Sequence, residues 1–261
     1  MKVALTIAGS DSSGGAGIQA DLRAFAAHKI HGASAVTAVT AQNAAGIAAT
    51  HAVPPKIVAA QITSVFDYMS VDGVKIGMLG TRATVDAVTK IVKARRLRPV
   101  VDPVMMSSSG KPLLDDNALN LLVANLFPEA TVVTPNRMEA ERLSGMTIRT
   151  LAEARDASRR IGEIGTTMVV LTGGHLDINS DTVTDVVHDG KNLFEVTTQR
   201  IPVGVMQRTH GTGCTYSAAL LSALILGHKL PEAAKHAQRC VSDTLQTDHN
   251  FSLRHEAAMK P

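Results

Sequence analysis

Short apolar runs rich in β-branched residues alternate along the chain with longer segments of helical hydrophobic periodicity. The short runs predict strands, at residues 3–8, 35–40, 73–76, 99–102, 131–134 and 167–172. The longer segments predict helices, at residues 16–29, 54–69, 81–95, 115–126, 136–144, 151–164, 213–226 and 231–247. Strands that alternate with helices favour right-handed crossovers and a mostly parallel sheet covered on both faces.

The pattern changes near residue 183. Residues 183–188 and 192–197 are strand-like and flank Asp189-Gly190, a dipeptide typical of tight hairpin turns. We therefore expect antiparallel strands at one edge of the sheet. No Pro-rich or Gly/Ser-rich stretch resembles a linker, so residues 1–261 are expected to form a single domain. In open sheets of this class, ligands bind beyond the carboxyl ends of the strands.

Composition narrows the classes of partner. The chain has 26 Lys and Arg against 23 Asp and Glu, a formal net charge of +3. No basic run with interleaved aromatics occurs, so nucleic-acid binding has little support. The two cysteines, Cys214 and Cys240, lack CxxC spacing, which suits a reducing cytosol. The apolar run at the N-terminus is too short for a signal peptide core, and no run reaches membrane-spanning length without a charge. We expect a soluble, cytoplasmic protein with no nucleic-acid or membrane partner.

The segment Gly211-Thr212-Gly213-Cys214 opens an apolar helix rich in small residues. Glycines let backbone N–H groups approach an anion, and the helix start adds unpaired donors and a partial positive charge. Such an arrangement suits stabilisation of a phosphoryl group during transfer. The same field is expected to favour the thiolate of Cys214, which makes it a candidate base or nucleophile. By itself, the segment is explained more often as a tight turn followed by a helix with a buried cysteine.

A second glycine-rich segment spans residues 9–17 and joins the first strand to the first helix. Gly15-x-Gly17-x-x-Ala20 matches a loose dinucleotide-binding pattern, which would suit an NAD- or FAD-dependent oxidoreductase. That pattern needs an acidic residue about 20 positions later, and no Asp or Glu lies between Asp21 and Asp67. The sequence also contains no GxxxxGK[ST] motif, so ATP chemistry would require another phosphate cradle.

Asp102, Asn136 and Glu139 form a third group of candidates. Asp102 ends a predicted strand, and Glu139 lies one helical turn after Asn136. Carboxylate and amide oxygens suit magnesium, which takes few protein ligands and keeps several waters. Asn136 and Glu139 are explained equally well as the cap of an ordinary helix.

In these segments the chain resembles the hydroxymethylpyrimidine and phosphomethylpyrimidine kinases of thiamine synthesis, in the ribokinase superfamily. The resemblance runs to about residue 227. Its motifs are Ala8-Gly9-Ser10-Asp11-Ser12-Ser13-Gly14-Gly15-Ala16-Gly17-Ile18-Gln19-Ala20-Asp21-Leu22, Thr40-Ala41-Gln42-Asn43, Lys75-Ile76-Gly77-Met78-Leu79, Asp102-Pro103-Val104-Met105, Thr134-Pro135-Asn136-x-x-Glu139, Gly173-Gly174-His175 and Thr209-His210-Gly211-Thr212-Gly213-Cys214-Thr215.

The resemblance implies a ribokinase-like three-layer α/β/α sandwich with a small lid, and ATP with Mg²⁺ as cofactors. It implies phosphorylation of 4-amino-5-hydroxymethyl-2-methylpyrimidine and then of its monophosphate, and a homodimer. Gln42, Gly9, Asp21, Met78 and Val104 would bind the substrate. The residues expected to serve ATP and the metal are Asp102, Asn136, Glu139, Thr172 and Gly174, with Asp102 and Glu139 reaching the metal through water. Gly211 and Gly213 would form the anion hole, and Cys214 is the candidate base.

The chain departs from the family pattern at two places. Thr172 stands where the family often has a lysine that approaches the nucleotide phosphates, so phosphate neutralisation would rely more on magnesium. The tail at residues 248–261 lacks the expected Gly- and His-rich ending. Pyridoxal kinase activity is the closest alternative, and a dinucleotide-binding oxidoreductase or a non-catalytic pyrimidine-binding sensor are more distant ones.

Overall fold

The computed structural model describes residues 1–43, 46–107, 110–165, 168–176, 178, 180–202 and 210–258, with side chains through residue 247. Nine strands are described: β1 (Val3–Asp11), β2 (His31–Asn43), β3 (Gly46–Ala52), β4 (Gly73–Ile76), β5 (Val100–Val101), β6 (Val132–Val133), β7 (Val169–Leu171), β8 (Thr182–His188) and β9 (Leu193–Gln199). The α-helices are α1 (Gly17–Ala27), α2 (Pro55–Tyr68), α3 (Arg82–Ala94), α4 (Asp116–Leu121), α5 (Arg137–Ser144), α6 (Leu151–Glu163), α7 (Thr212–Ile225) and α8 (Leu230–Ala258).

All nine strands belong to one sheet, in the order β3-β2-β1-β4-β5-β6-β7-β8-β9. The five pairs from β2 to β7 are parallel. The β7–β8 and β8–β9 pairs are antiparallel, which confirms the hairpin expected around Asp189-Gly190. The mostly parallel α/β sheet with an antiparallel edge is therefore confirmed.

Alternation along the strands builds the two helical layers. Side chains of Leu5 and Ile7 point into one apolar cluster and Ala4 points into the other, because successive strand residues face opposite sides of a sheet. The first cluster is completed by helices α2 to α6 and the second by α1, α7 and α8. Both clusters consist mainly of Ala, Val, Leu and Ile.

The opposite edge of the sheet differs from the prediction. β3, which was not predicted, pairs antiparallel with the second half of β2. Its small, largely exposed residues give no alternating hydrophobic pattern, so sequence periodicity could not reveal it. We place the expected small lid at this exposed β2–β3 hairpin.

Two helices also differ from their predicted bounds. The helix predicted at 115–126 begins as α4 but continues as a wider π-helical turn at Leu122–Leu126. Helix α8 continues past residue 247 to Ala258, and residues 259–261 lie outside the described part of the chain. No helix in the described ranges combines the length and apolarity that a bilayer span requires.

Helix α2 offers a matched test of the core that packs beneath the sheet. Ile62 is fully buried, whereas Ile57 on the same helix is 52% exposed. Ile62→Ala should lower the free energy of unfolding by about 2–5 kcal/mol, because it leaves a cavity. Ile57→Ala should change it by less than about 0.5 kcal/mol. Equal losses in urea unfolding of the two variants would contradict this packing.

Candidate active site

The predicted site residues converge at the carboxyl ends of the parallel strands. Asp102 directly follows β5, and Thr172 directly follows β7. Helix α7 reaches the same place, because Ser217 on its first turns donates a hydrogen bond to Asp102 Oδ2 at 3.2 Å. A Cβ built on Gly213 would lie 3.8 Å from the same carboxylate oxygen. The structure thus brings the predicted anion hole beside the first predicted metal-site acid.

The start of α7 is fixed against the glycine-rich loop at residues 9–17. Gly211, the N-cap residue, has a φ of 80°, and a Cβ there would overlap the carbonyl of Gly15. Gly17 likewise has a φ of 58°, and its Cβ would overlap the carbonyl of Gly9. Only glycine permits both the left-handed backbone and this close approach. Thr209, at the start of the predicted motif, lies outside the described residues.

The first turn of α7 presents backbone donors at this junction. The first N–H groups of an α-helix have no carbonyl partner within the helix, and those of Gly213 and Cys214 are among them here. Gly213 is exposed, so an anion can reach its N–H. Together with the positive end of the helix dipole, this turn suits a phosphoryl oxygen.

Cys214 lies in that turn but is not a stabilised thiolate. Burial raises the pKa of its thiol to about 12, although the nearby Lys75 ammonium acts in the opposite direction. The charges of Asp21 and Asp102 contribute to this rise. The prediction that the helix start would favour the thiolate is therefore wrong for the protein without substrate, because desolvation outweighs the field of the helix.

A fully buried ion pair lies beneath the site. Lys75 Nζ is 3.0 Å from both carboxylate oxygens of Asp21, and both side chains have no solvent exposure. Thr6 donates a further hydrogen bond to Asp21 at 2.6 Å. The carboxylate of Asp21 is therefore occupied inside the core. Because the Asp21 side chain has no solvent exposure, the structure gives no direct support to the prediction that Asp21 binds the substrate, and that role stays a prediction.

The Lys75 ammonium extends from the ion pair toward the carboxyl end of β4. A Cβ on Gly77 would come within 2.8 Å of Lys75 Nζ, so the ammonium lies directly under the strand end. Burial lowers the pKa of Lys75, but Asp21, Cys214 and Asp102 raise it overall. Sequence analysis gave Lys75 no role. Its signal was a lysine between Val74 and Ile76 in a strand that is otherwise apolar.

Asp102 and Glu139 are two buried carboxyl groups close enough to influence each other. Burial, and then the charge of Asp102, raise the pKa of Glu139 to about 7. Burial also raises the pKa of Asp102, against the effect of Lys75. Two acids packed in this way favour a cation beside them. Their hard oxygen atoms fit a divalent ion that is bound mainly through water and phosphate.

Glu139 also has a structural role. Its carboxylate accepts from the backbone N–H of Asn136 at 3.0 Å and of Met105 at 3.2 Å. Asn136 in turn accepts from the Glu139 N–H, which completes a capping box. Asn136 and Glu139 therefore do form an ordinary helix cap. The hydrogen bond from Met105 also holds Glu139 beside the loop that follows Asp102.

Gln42 belongs to a polar network with two residues that sequence analysis did not single out. His210 Nε2 lies 2.9 Å from Asp11 Oδ2 and 3.1 Å from Gln42 Nε2. Thr40 donates to Gln42 Oε1 at 3.1 Å. Asp11 and His210 are 199 positions apart in the chain, so no local pattern could pair them. The network joins the ends of β1 and β2 to the residue that precedes the anion hole.

The other predicted substrate residues lie around the same strand ends. A Cβ on Gly9 would collide with the Met78 side chain, so these two residues are in close contact. Met78 and Val104 are both half-buried. The N–H of Val104 donates to Asp102. The structure therefore brings Gly9 and Met78 together and links Val104 to the acid.

The turn after β7 is fixed by the buried carboxylate of Asp185. The N–H of Gly173 donates to Asp185 Oδ1 at 2.7 Å, and Tyr216 of α7 donates to Asp185 Oδ2 at 2.7 Å. Burial raises the pKa of Asp185 to about 6. A Cβ at Gly174 would meet no atom within 4 Å, so this residue borders open space beside Thr172. Asp185 was not predicted as part of the site.

An open α/β sheet whose strand ends meet a glycine-rich helix start and two acids is the architecture of ribokinase-like small-molecule kinases. The sequence model of the family described as phosphomethylpyrimidine kinase matches residues 11–259. The chain belongs to this family.

Individual relatives agree with this assignment. A hydroxymethylpyrimidine/phosphomethylpyrimidine kinase from Rhizobium meliloti is 43% identical over 239 residues, which are 90% of this chain and 87% of the relative. The thiamine biosynthesis bifunctional protein ThiED of Geobacter sulfurreducens is 43% identical over 243 residues. The chain spans 49% of that protein's length and 93% of its own.

A solved structure of a related kinase has the same fold. Pyridoxal kinase from Staphylococcus aureus, in complex with AMP-PCP and pyridoxal, has a TM-score of 0.81 and 31% sequence identity. The similarity covers 93% of this chain and 87% of that one.

The buried Lys75–Asp21 pair leads to a stability prediction. Asp21→Asn should lower the free energy of unfolding by about 3–5 kcal/mol, because it leaves a buried ammonium without its partner. Asp86→Asn breaks the exposed pair with Lys90 and should cost no more than about 0.5 kcal/mol. The double variant Asp21→Asn with Lys75→Met should recover part of the loss. Denaturant unfolding measures all three, and a small effect of Asp21→Asn would contradict the interpretation.

Proposed function

We propose that this protein is an ATP-dependent kinase that phosphorylates 4-amino-5-hydroxymethyl-2-methylpyrimidine and then its monophosphate. The observation that carries the proposal is the junction of the α7 start with Asp102, where Ser217 bridges the two. A phosphoryl group needs backbone donors on one side and neutralised charge on the other, with little covalent help. The family membership of the chain supports the same conclusion.

The substrate would bind among the ends of β1, β2 and β4. Gln42 offers an amide that can donate to and accept from the aminopyrimidine edge. Gly9, Met78 and Val104 would line the ring pocket, where a flexible thioether adapts to an aromatic face. His210 now contacts Gln42, so a pyrimidine that binds the amide would replace this contact.

ATP would lie across the ends of β5, β6 and β7, near Thr172 and Gly174. The S. aureus relative in complex with AMP-PCP supports a nucleotide at this fold. Asp102 and Glu139, with Asn136, would hold Mg²⁺ mainly through water. The ion would neutralise charge on the phosphates. Residues 1–261 would act as one kinase domain, since the described strands form one continuous sheet.

Cys214 would act on the substrate hydroxyl from the first turn of α7. Its high pKa means that the thiol is protonated at neutral pH before substrate binds. We therefore assign the protonated thiol to orienting the hydroxyl oxygen toward the phosphoryl group. The proton that the hydroxyl loses as the new P–O bond forms and the bond to ADP breaks would pass to a phosphoryl oxygen or to water. Gly211 permits the helix start, and the N–H of Gly213 would stabilise the transferring group.

Pyridoxal kinase activity is the second candidate, and the S. aureus relative favours it as an alternative. Steady-state assays with ATP and Mg²⁺ should give a kcat/KM for the hydroxymethylpyrimidine at least about tenfold above that for pyridoxal, equivalent to about 1.4 kcal/mol. The monophosphate should also be phosphorylated. A higher kcat/KM for pyridoxal would favour the alternative, and no turnover of either substrate would overturn the proposed function.

The role of Cys214 predicts different effects of two substitutions. Cys214→Ala should lower kcat by about 10²-fold with little change in pyrimidine binding, because the hydroxyl oxygen loses the group that orients it toward the phosphoryl group. Cys214→Ser keeps a hydrogen-bonding atom and should retain more activity. Cys240→Ala, on α8, is the matched control and should be near wild type. A near-normal kcat for Cys214→Ala would exclude the role.

A further inference from the structure

Arg137 occupies a distinctive position next to the proposed nucleotide site. It is the first residue of α5 and follows Asn136 directly. The capping box of Asn136 and Glu139 fixes this turn of the helix. Arg137 is half-buried, so its guanidinium is attached to a rigid part of the site.

Within the described residues, the side chain of Arg137 lacks the acidic partner that Arg142 has on the same helix. Its Nε is buried and makes no hydrogen bond within the described residues. Among the described residues, no carboxylate lies within ion-pair distance of the Arg137 guanidinium, whereas Arg142 on the same helix pairs with Asp116. A buried donor without an acceptor is costly, and this cost is removed when a ligand supplies the acceptor.

Further positive charge surrounds the turn after β7. Partial burial, and then the charges of Arg137 and Arg200, lower the pKa of His175. Both guanidinium groups are therefore near the Gly173–His175 turn. Arg200 Nη1 donates to the carbonyl of Gly174 at 3.3 Å and its Nε to Ser180 at 2.8 Å. Arg200 is thus tied to backbone carbonyls, while Arg137 keeps donors for a ligand.

We propose that Arg137 binds the polyphosphate of the nucleotide and supplies the positive charge that Thr172 does not. This inference rests on the proposed function. Thr172 and Arg137 follow neighbouring parallel strands, and the Thr172 N–H donates to the carbonyl of Pro135 at 3.0 Å. The positive charge of Arg137 therefore takes the place of a positive charge at position 172, at the end of the adjacent strand. Its planar guanidinium matches phosphate oxygens in geometry as well as in sign.

Nucleotide binding tests the inference without catalysis. Calorimetric titration with ADP and with adenosine, at constant Mg²⁺ and salt, should show that Arg137→Gln weakens ADP binding about tenfold or more and leaves adenosine binding unchanged. Arg142→Gln is the control on the same helix and should bind both as the wild type does. Equal weakening of ADP and adenosine would indicate a general structural effect and overturn the inference.

Restoration of the charge on the neighbouring strand end provides a second test. Thr172→Lys added to Arg137→Gln should recover most of the ADP affinity and lower the KM for ATP again, with the KM for the pyrimidine unchanged throughout. Arg137→Lys should keep part of the affinity and serves if Arg137→Gln does not fold. If the wild type uses ATP, and if the Arg137→Gln and Arg137→Lys variants both bind ADP as tightly as the wild type does, then only this inference fails. If the wild type neither binds nor uses ATP, the proposed function fails with it.

Discussion

The ion pair of Lys75 and Asp21 is the interaction on which the site depends most. A charge without solvent is tolerated only when a partner and further hydrogen bonds compensate it, and Asp21 with Thr6 provides both. The pair joins β4 to α1, and its ammonium lies near Asp102 of β5 and Cys214 of α7. Four elements of the chain therefore meet at one buried positive charge, which offsets part of the negative charge collected above it.

The glycines perform the complementary task of bringing backbone to backbone. Gly211 against Gly15, and Gly17 against Gly9, remove side chains at the places where two loops touch. The result is a helix start held rigidly beside Asp102. Because the donors are fixed before a ligand arrives, little reorganisation is needed when charge develops. The site thus combines two features. The buried Lys75–Asp21 ion pair lies inside the core, and the backbone N–H groups at the start of α7 form a rigid set of donors beside Asp102.

Periodicity predicted the elements that bury one regular face. Strand 73–76 has the same bounds in the structure. The helix predicted at 81–95 is one residue longer than α3 at each end, and that predicted at 151–164 is one residue longer than α6 at its C-terminal end. Strand β3 escaped prediction, because its exposed small residues carry no such pattern. Motif resemblance found Asp102, Glu139 and the start of α7, which the structure brings together.

Other features depended on three-dimensional balance and could not be predicted. The thiol of Cys214 is subject to two opposed effects, and only the degree of burial decides which is larger. Asp21 belongs to a motif that matches the family, yet its side chain points into the core and pairs with Lys75. The link between His210 and Asp11 joins segments from opposite ends of the chain. Such pairings become visible only when the fold has placed both partners.

The contact between Gly211 and the Gly15 carbonyl has a consequence for the order in which the protein is made. The loop at residues 9–17 leaves the ribosome early, while α7 begins at Thr212. At about 5–20 residues per second, the loop waits on the order of 10–40 s for the helix that completes it. During synthesis the proposed phosphate-binding turn therefore forms only after the nine described strands have been made, and we expect no nucleotide binding there before α7 has emerged.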